Sequence, residues 1–206
     1  MVSPAAPGLF FAFAAMALLI FASISPPAWD EVDFLHATTP SGRVVYGVFG
    51  YCIKNGACSS RSVGYNLSLP GADSISLNDK ILHNLTYTLI LHPIAGGFAF
   101  FSLVFGLLAA CAASRVATIF MAITAALGAV VTLVIFVIDM VLWNVLKNRI
   151  HDAGYDAGLG NANWFTIAAF GALVLSMCAS TCGAFGRFSS GRFAGEKASR
   201  SALLDK

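Results

Sequence analysis

Val44-Val45-Tyr46-Gly47-Val48-Phe49-Gly50-Tyr51-Cys52, followed by Cys58, is a β-branched and aromatic run closed by a cysteine pair. It lies in a polar gap, residues 26–88, between long apolar stretches. Those stretches cover residues 8–25, 89–113, 116–146 and 164–186, and each is long enough for a bilayer core of about 30 Å, which takes about 20 apolar residues. The order predicts a membrane all-α four-helix bundle with a small extracellular antiparallel β-sheet, built mainly from the first loop. Residues 147–163 form the second loop and residues 188–206 a short tail.

Composition agrees with that architecture. The 206 residues are 58% hydrophobic and 11% charged, against about 25% charged in a soluble domain. The charges are segregated into the loops and tail. A net charge of +2 argues against nucleic acid as a partner. The first apolar stretch has no basic residues ahead of it and is longer than a signal-peptide core. Retention as a signal anchor is therefore expected, with cleavage within Phe21-Ala22-Ser23-Ile24-Ser25 as the alternative. Pro26-Pro27 ends the helix, because proline cannot continue its ladder.

Orientation is read from lysine and arginine. Arg115, Arg187, Arg192, Lys197, Arg200 and Lys206 cluster on the side that holds both termini. The first loop dilutes Arg43, Lys54, Arg61 and Lys80 among acidic residues. Both termini are thus expected in the cytosol and both larger loops outside. The sequons Asn66-Leu67-Ser68 and Asn84-Leu85-Thr86 fall in the first loop, although Asn84 is close to the membrane. Cys52 and Cys58 are the cysteines of the external loops, where oxidation is favoured. A disulfide around the Asn55-Gly56 turn is expected, with two free thiols as the alternative. Cys111, Cys178 and Cys182 stand near cytosolic helix ends, as palmitoylation candidates or as small packing residues. Cys178 and Cys182 have no further ligand nearby to make a zinc site, and neither metal nor cofactor is expected.

Within the loop, residues 43–53 read as one strand, residues 57–68 as a second and residues 32–37 as a third at the sheet edge. The third apolar stretch should project as a helix to about Lys147. His151, Asp152 and Asp156, with their neighbouring glycines, suit a solvated turn. Asp139 is the acidic residue inside a span, where a charge costs about 2.5–3.5 kcal/mol at the bilayer centre. Toward the outer leaflet it is expected to cap or hydrogen-bond to the external domain or a neighbouring helix. A proton or ion relay would need partners at successive depths, for which His92 and His83, both near the outer end of the second span, are the candidates. Partner binding or transport are weaker readings. Gly96, Gly97, Gly106, Ala110, Ala125, Gly128, Ala129, Gly171 and Ala172 are small residues suited to close helix packing. Phe10, Phe11, Phe13, Phe98, Phe100, Phe101 and Phe105 suit a surface facing lipid, including sterol-like lipid, or a partner.

The four-span layout, the large first loop and Gly47-Val48-Phe49-Gly50-Tyr51-Cys52 with Cys58 resemble the fungal PalI and Sur-type tetraspan family. Cys58-Ser59-Ser60 and Val63-Gly64-Tyr65 look like the PalI side of it. The motif is also similar to the Gly-Leu-Trp…Cys…Cys signature of claudins, with Phe49 at the tryptophan position, and Asp139 is similar to an acidic position of the family. The resemblance covers most of residues 8–187 and implies a claudin-like left-handed bundle capped by a sheet. It further implies a non-enzymatic plasma-membrane protein that assists a larger integral membrane protein, such as an ambient-pH sensor. Phe49, Gly50 and Tyr51 would serve as its recognition surface. An eisosome-type scaffold that self-associates in membrane lipid is the alternative, and a channel or carrier the weakest. PalI proteins typically carry a long low-complexity tail. This chain runs about twenty residues past its last span, which weighs against tail-mediated signalling.

Overall fold

The computed structural model describes residues 6–71, 80–112 and 115–182, without the side chains of Ile81, Ala112 and Arg115. The tail, residues 188–206, lies outside the described residues. Four helices are long and apolar enough to cross a membrane: Ala6–Ser23, Leu82–Cys111, Val116–Asp152 and Ala162–Cys182. In finer detail, α1 is Ala6–Ser23, α2 Lys80–Thr88, α3 Leu91–Ala112 and α4 Arg115–Asp152, and α5 is Ala162–Cys182. The expected four-helix membrane domain and its small antiparallel sheet are both present.

Helices α1, α3 and α5 bury narrow faces made mainly of small residues, whereas α4 also buries large ones such as Met121 and Ile135. On α1, Ala12, Ala15, Leu19 and Ala22 are buried, whereas Phe10, Phe13, Ile20 and Phe21 point outward. This spacing of three and four residues is one face of a helix. In lipid, apolar surface gains nothing by leaving its surroundings, so close packing and interhelical hydrogen bonds hold the bundle. Ser176 Oγ donates to the Gly8 carbonyl at 2.9 Å, and Ser102 Oγ to the Met121 carbonyl at 3.2 Å. Gly106 admits Leu9 and Met121, and Gly128 admits Phe98 and Leu173. Two of the expected packing glycines do not serve this way: a Cβ at Gly97 or Gly171 would meet nothing within 4 Å.

At one end of the bundle stands a headpiece built on a four-stranded antiparallel sheet of order β3-β2-β1-β4. Its strands are β1 Leu35–Thr39, β2 Gly42–Tyr46, β3 Tyr51–Ile53 and β4 Asp156–Leu159. Three strand readings are corrected. Residues 43–53 are not one strand: the chain reverses at Gly47, whose N–H donates to the Gly50 carbonyl at 2.8 Å, and Tyr46 pairs with Tyr51. The stretch read as the edge strand runs as β1 between β2 and β4. Residues 57–68 form no strand beyond the bridge of Cys58 to Cys52, because the backbone leaves the sheet and turns at Gly64 with φ of 68°.

The fourth strand is a further correction. Helix α4 does not stop near Lys147 but continues to Asp152 and buries Leu146 and Ile150 in the headpiece. The chain then returns as β4 and pairs Leu35 with Leu159 and Ala37 with Ala157. A segment read as a solvated turn therefore supplies an edge strand. Asp-Ala-Gly-Leu has little strand propensity of its own, and the free backbone groups of β1 decide its conformation.

Candidate functional site

The headpiece core is aromatic. Trp143 of α4 stacks on Phe34 at 5.7 Å, and Tyr46 of β2 lies 6.3 Å from Trp143. All three side chains are fully buried. Tyr46 donates its hydroxyl to the Ser68 carbonyl at 2.8 Å, and Tyr65 donates to the Gly47 carbonyl at 2.8 Å. These bonds fasten residues 64–69 under the sheet although they belong to no strand. Burial pushes the Tyr46 phenol far above its ordinary value, with a smaller push from neighbouring Tyr51. Tyr65 is raised for the same leading reason.

Phe49, Gly50 and Tyr51 occupy the β2–β3 turn and the start of β3. Gly50 is buried, and Phe49 and Tyr51 are half-buried against the aromatic core. Ser59 Oγ accepts from the Tyr51 N–H at 3.0 Å, and a Cβ at Gly50 would collide with that oxygen. The motif thus has a structural task as well as a partly open surface. Cys52 and Cys58 form a disulfide, with Cys52 buried and Cys58 exposed. The Asn55-Gly56 turn sits inside it, with Asn55 at φ of 62°. Residues 54–58 and 60–63 form the most exposed part of the headpiece.

A cleft of about 320 Å³ opens on the sheet, lined in part by Asp30, Glu31, Asp33, His36, Arg43 and Lys54. His36 Nδ1 is 3.0 Å from Asp33 Oδ2, and Lys54 Nζ is 3.5 Å from Glu31 Oε1. Asn161, just after β4, ties the cleft wall together: its Oδ1 accepts from the Asp33 N–H at 3.1 Å and its Nδ2 donates to the Glu31 carbonyl at 2.9 Å. Sequence reasoning missed this cleft. Its walls come from segments more than a hundred residues apart, and the only local signal was the acidic cluster at Asp30, Glu31 and Asp33. Asp30 also lies near Cys52 and Cys58. Both sulfurs are spent in the disulfide, so these three residues are not a metal centre.

Asp139 is buried on α4, and His92 of α3 is its neighbour, with Nε2 at 3.1 Å from Oδ2, within ion-pair range but not aligned as a hydrogen bond. His83, the other candidate, stands instead against Tyr87 on α2. Both sequon asparagines have exposed side chains, Asn66 in the loop and Asn84 on α2. Cys111, Cys178 and Cys182 are free thiols with exposed side chains.

Residues 5–182 match the model of the SUR7/PalI family. The pH-response regulator protein palI/RIM9 of Yarrowia lipolytica is 46% identical over 65 residues, which are 31% of this chain and 9% of that protein. The palI/prr-5 regulator of Neurospora crassa is 35% identical over 100 residues, 46% of this chain and 14% of the relative. The palI/RIM9 protein of Pyricularia oryzae is 34% identical over 104 residues, 46% of this chain and 13% of the relative. The chain therefore aligns with a small fraction of the length of each of these curated relatives.

Proposed function

This chain belongs to the SUR7/PalI family, and we propose that it is a non-enzymatic auxiliary subunit of a larger plasma-membrane protein in fungal pH signalling. The observation that carries the proposal is the family match across residues 5–182, joined to three similar proteins that are each called a pH-response regulator. In this reading both termini face the cytosol and the headpiece faces outward. The basic tail, the sequons and the disulfide all favour that orientation.

Recognition falls to the half-open faces of Phe49 and Tyr51, the exposed disulfide tip and the charged cleft beside it. The cleft carries both signs of charge, which suits orienting a protein partner more than strong binding, since exposed ion pairs contribute at most about 1 kcal/mol each. The lipid-facing phenylalanines, and palmitoyl groups carried by the exposed thiols, would keep the subunit in its membrane environment. Purification in mild detergent tests the proposal. A stoichiometric membrane-protein companion, lost on Arg43→Glu or Lys54→Glu, is the expected result. Recovery of monomer alone would overturn it, and recovery of homo-oligomers alone would favour a self-associating, eisosome-type scaffold.

A further inference from the structure

Residues 6–23, 91–112, 116–146 and 162–182 contain two side chains of the Asp, Glu, His, Lys or Arg types, namely His92 and Asp139. They are 0% and 1% exposed, and they face each other. Isolated buried charge is costly, and a matched pair of net charge zero is far less so. Hydrogen bonding sets the number of protons this pair can hold. His92 Nδ1 lies 3.1 Å from the Leu89 carbonyl, which can only accept, so Nδ1 carries hydrogen. Nε2 then lies 3.1 Å from Asp139 Oδ2, within ion-pair distance but without hydrogen-bond alignment. One proton between them gives either imidazolium with carboxylate or imidazole with carboxylic acid, and both have no net charge. With none, two lone pairs confront each other around an uncompensated carboxylate. With two, an uncompensated imidazolium is enclosed.

This pair lies directly beneath the headpiece. The Phe34 ring meets the His92 ring edge-on at 5.1 Å, and Trp143 stacks on the same Phe34. The Phe34 carbonyl accepts from Asn163 Nδ2 at 2.7 Å and from the Gly160 N–H at 2.9 Å, so the same residue anchors the start of β1 to the chain after β4. We propose that His92 and Asp139 form a one-proton latch, which seats Phe34 and the sheet on the bundle while it holds a single proton and loosens that seat when it holds none or two.

Other titratable groups lie on the elements packed against the latch. Asp33 and His36, paired with each other, flank Phe34 in sequence. Tyr46 packs on Trp143, and α2 contributes His83. Helices α1 and α5 bring no charged side chain among their described residues. The inference is independent of the partner proposed above, because it concerns the purified chain.

Trp143 is the reporter. With Trp29→Phe and Trp164→Phe it becomes the only tryptophan of the chain. Its emission is then followed in lipid nanodiscs from about pH 5 to about pH 8, a scan that brackets the ordinary histidine range. A red shift toward one end of the range is expected as the enclosed ring gains water. Asp139→Asn and His92→Gln should abolish or displace that shift, whereas His36→Gln and His83→Gln should leave it in place. A flat titration, or one that survives in the His92→Gln, Asp139→Asn double variant, would overturn the latch. Hydrogen-exchange protection of residues 34–37 in the unsubstituted chain gives a second reading that needs no variant to fold. Protection should fall at the same pH, and protection unchanged across the range would also overturn the proposal.

Discussion

Gly47 illustrates how one missing side chain can set a local fold. A Cβ there would run into the backbone of Pro26, so the end of the first span and the β2–β3 turn can meet only with glycine at this point. Gly47→Ala should cost about 1–3 kcal/mol by overpacking, or prevent folding of the headpiece. Thermal unfolding followed by Trp143 emission measures it. Trp143→Ala removes the largest fully buried side chain and should cost about 3–5 kcal/mol through the cavity left behind. Tyr46 gives a pH dependence with a definite sign. Burial raises its phenol in the folded chain, while in the unfolded chain it ionises near pH ~10. The folded state thus binds the proton more tightly. Its contribution to stability is whole below about pH 10 and is lost as pH rises beyond that value. Melting temperature should hold up to about pH 10 as far as Tyr46 is concerned and fall above it, and Tyr46→Phe should lessen that fall.

Among the elements, the β2–β3 hairpin and β4 behave differently. The hairpin is local, and the Cys52–Cys58 disulfide ties its second strand to the turn that follows it. Closing so short a loop contributes about 2 kcal/mol in the chain-entropy account. Cys52→Ser with Cys58→Ser should lower headpiece stability by about that amount while the helical content of the bundle stays unchanged by circular dichroism. The strand character of these residues was legible from their β-branched and aromatic side chains, and so was the Asn55-Gly56 turn that follows them. What escaped was the chain's reversal at Gly47, since glycines inside a strand pattern look alike whether they bend the chain or extend it. Strand β4 was illegible for a different reason. Its residues have no alternating pattern, and its pairing is supplied by β1 from more than a hundred residues away. The length of α4 was partly legible: its apolar run signalled a projection, but the last turns carry Lys147, Arg149 and Asp152 and looked like loop.

For the molecule in its membrane, the prediction is one of sidedness. With the headpiece outside, glycosidase treatment should shift the mobility of the chain, and Asn66→Gln should abolish that shift. Asn84 lies on α2, which leads directly into the span, and Asn84→Gln should leave the shift as it was. A membrane-impermeant thiol reagent should reach Cys111, Cys178 and Cys182 only after permeabilisation. Labelling of these thiols in intact cells would invert the orientation and remove the headpiece from any external partner.

Read alone, the sequence established a four-span membrane protein with a small antiparallel sheet, its family and the cysteine pair of its first loop. Those features rest on local facts: runs of apolar residues as long as a bilayer is thick, and a β-branched, aromatic run ending in two cysteines a few residues apart. The tertiary structure alone chose His92 over His83 for Asp139, built the charged cleft, and drew residues 156–159 into the sheet. Each of these depends on backbone and side-chain atoms from distant segments meeting within a few ångströms. No local pattern encodes that distance, because it follows from how closely the helices approach.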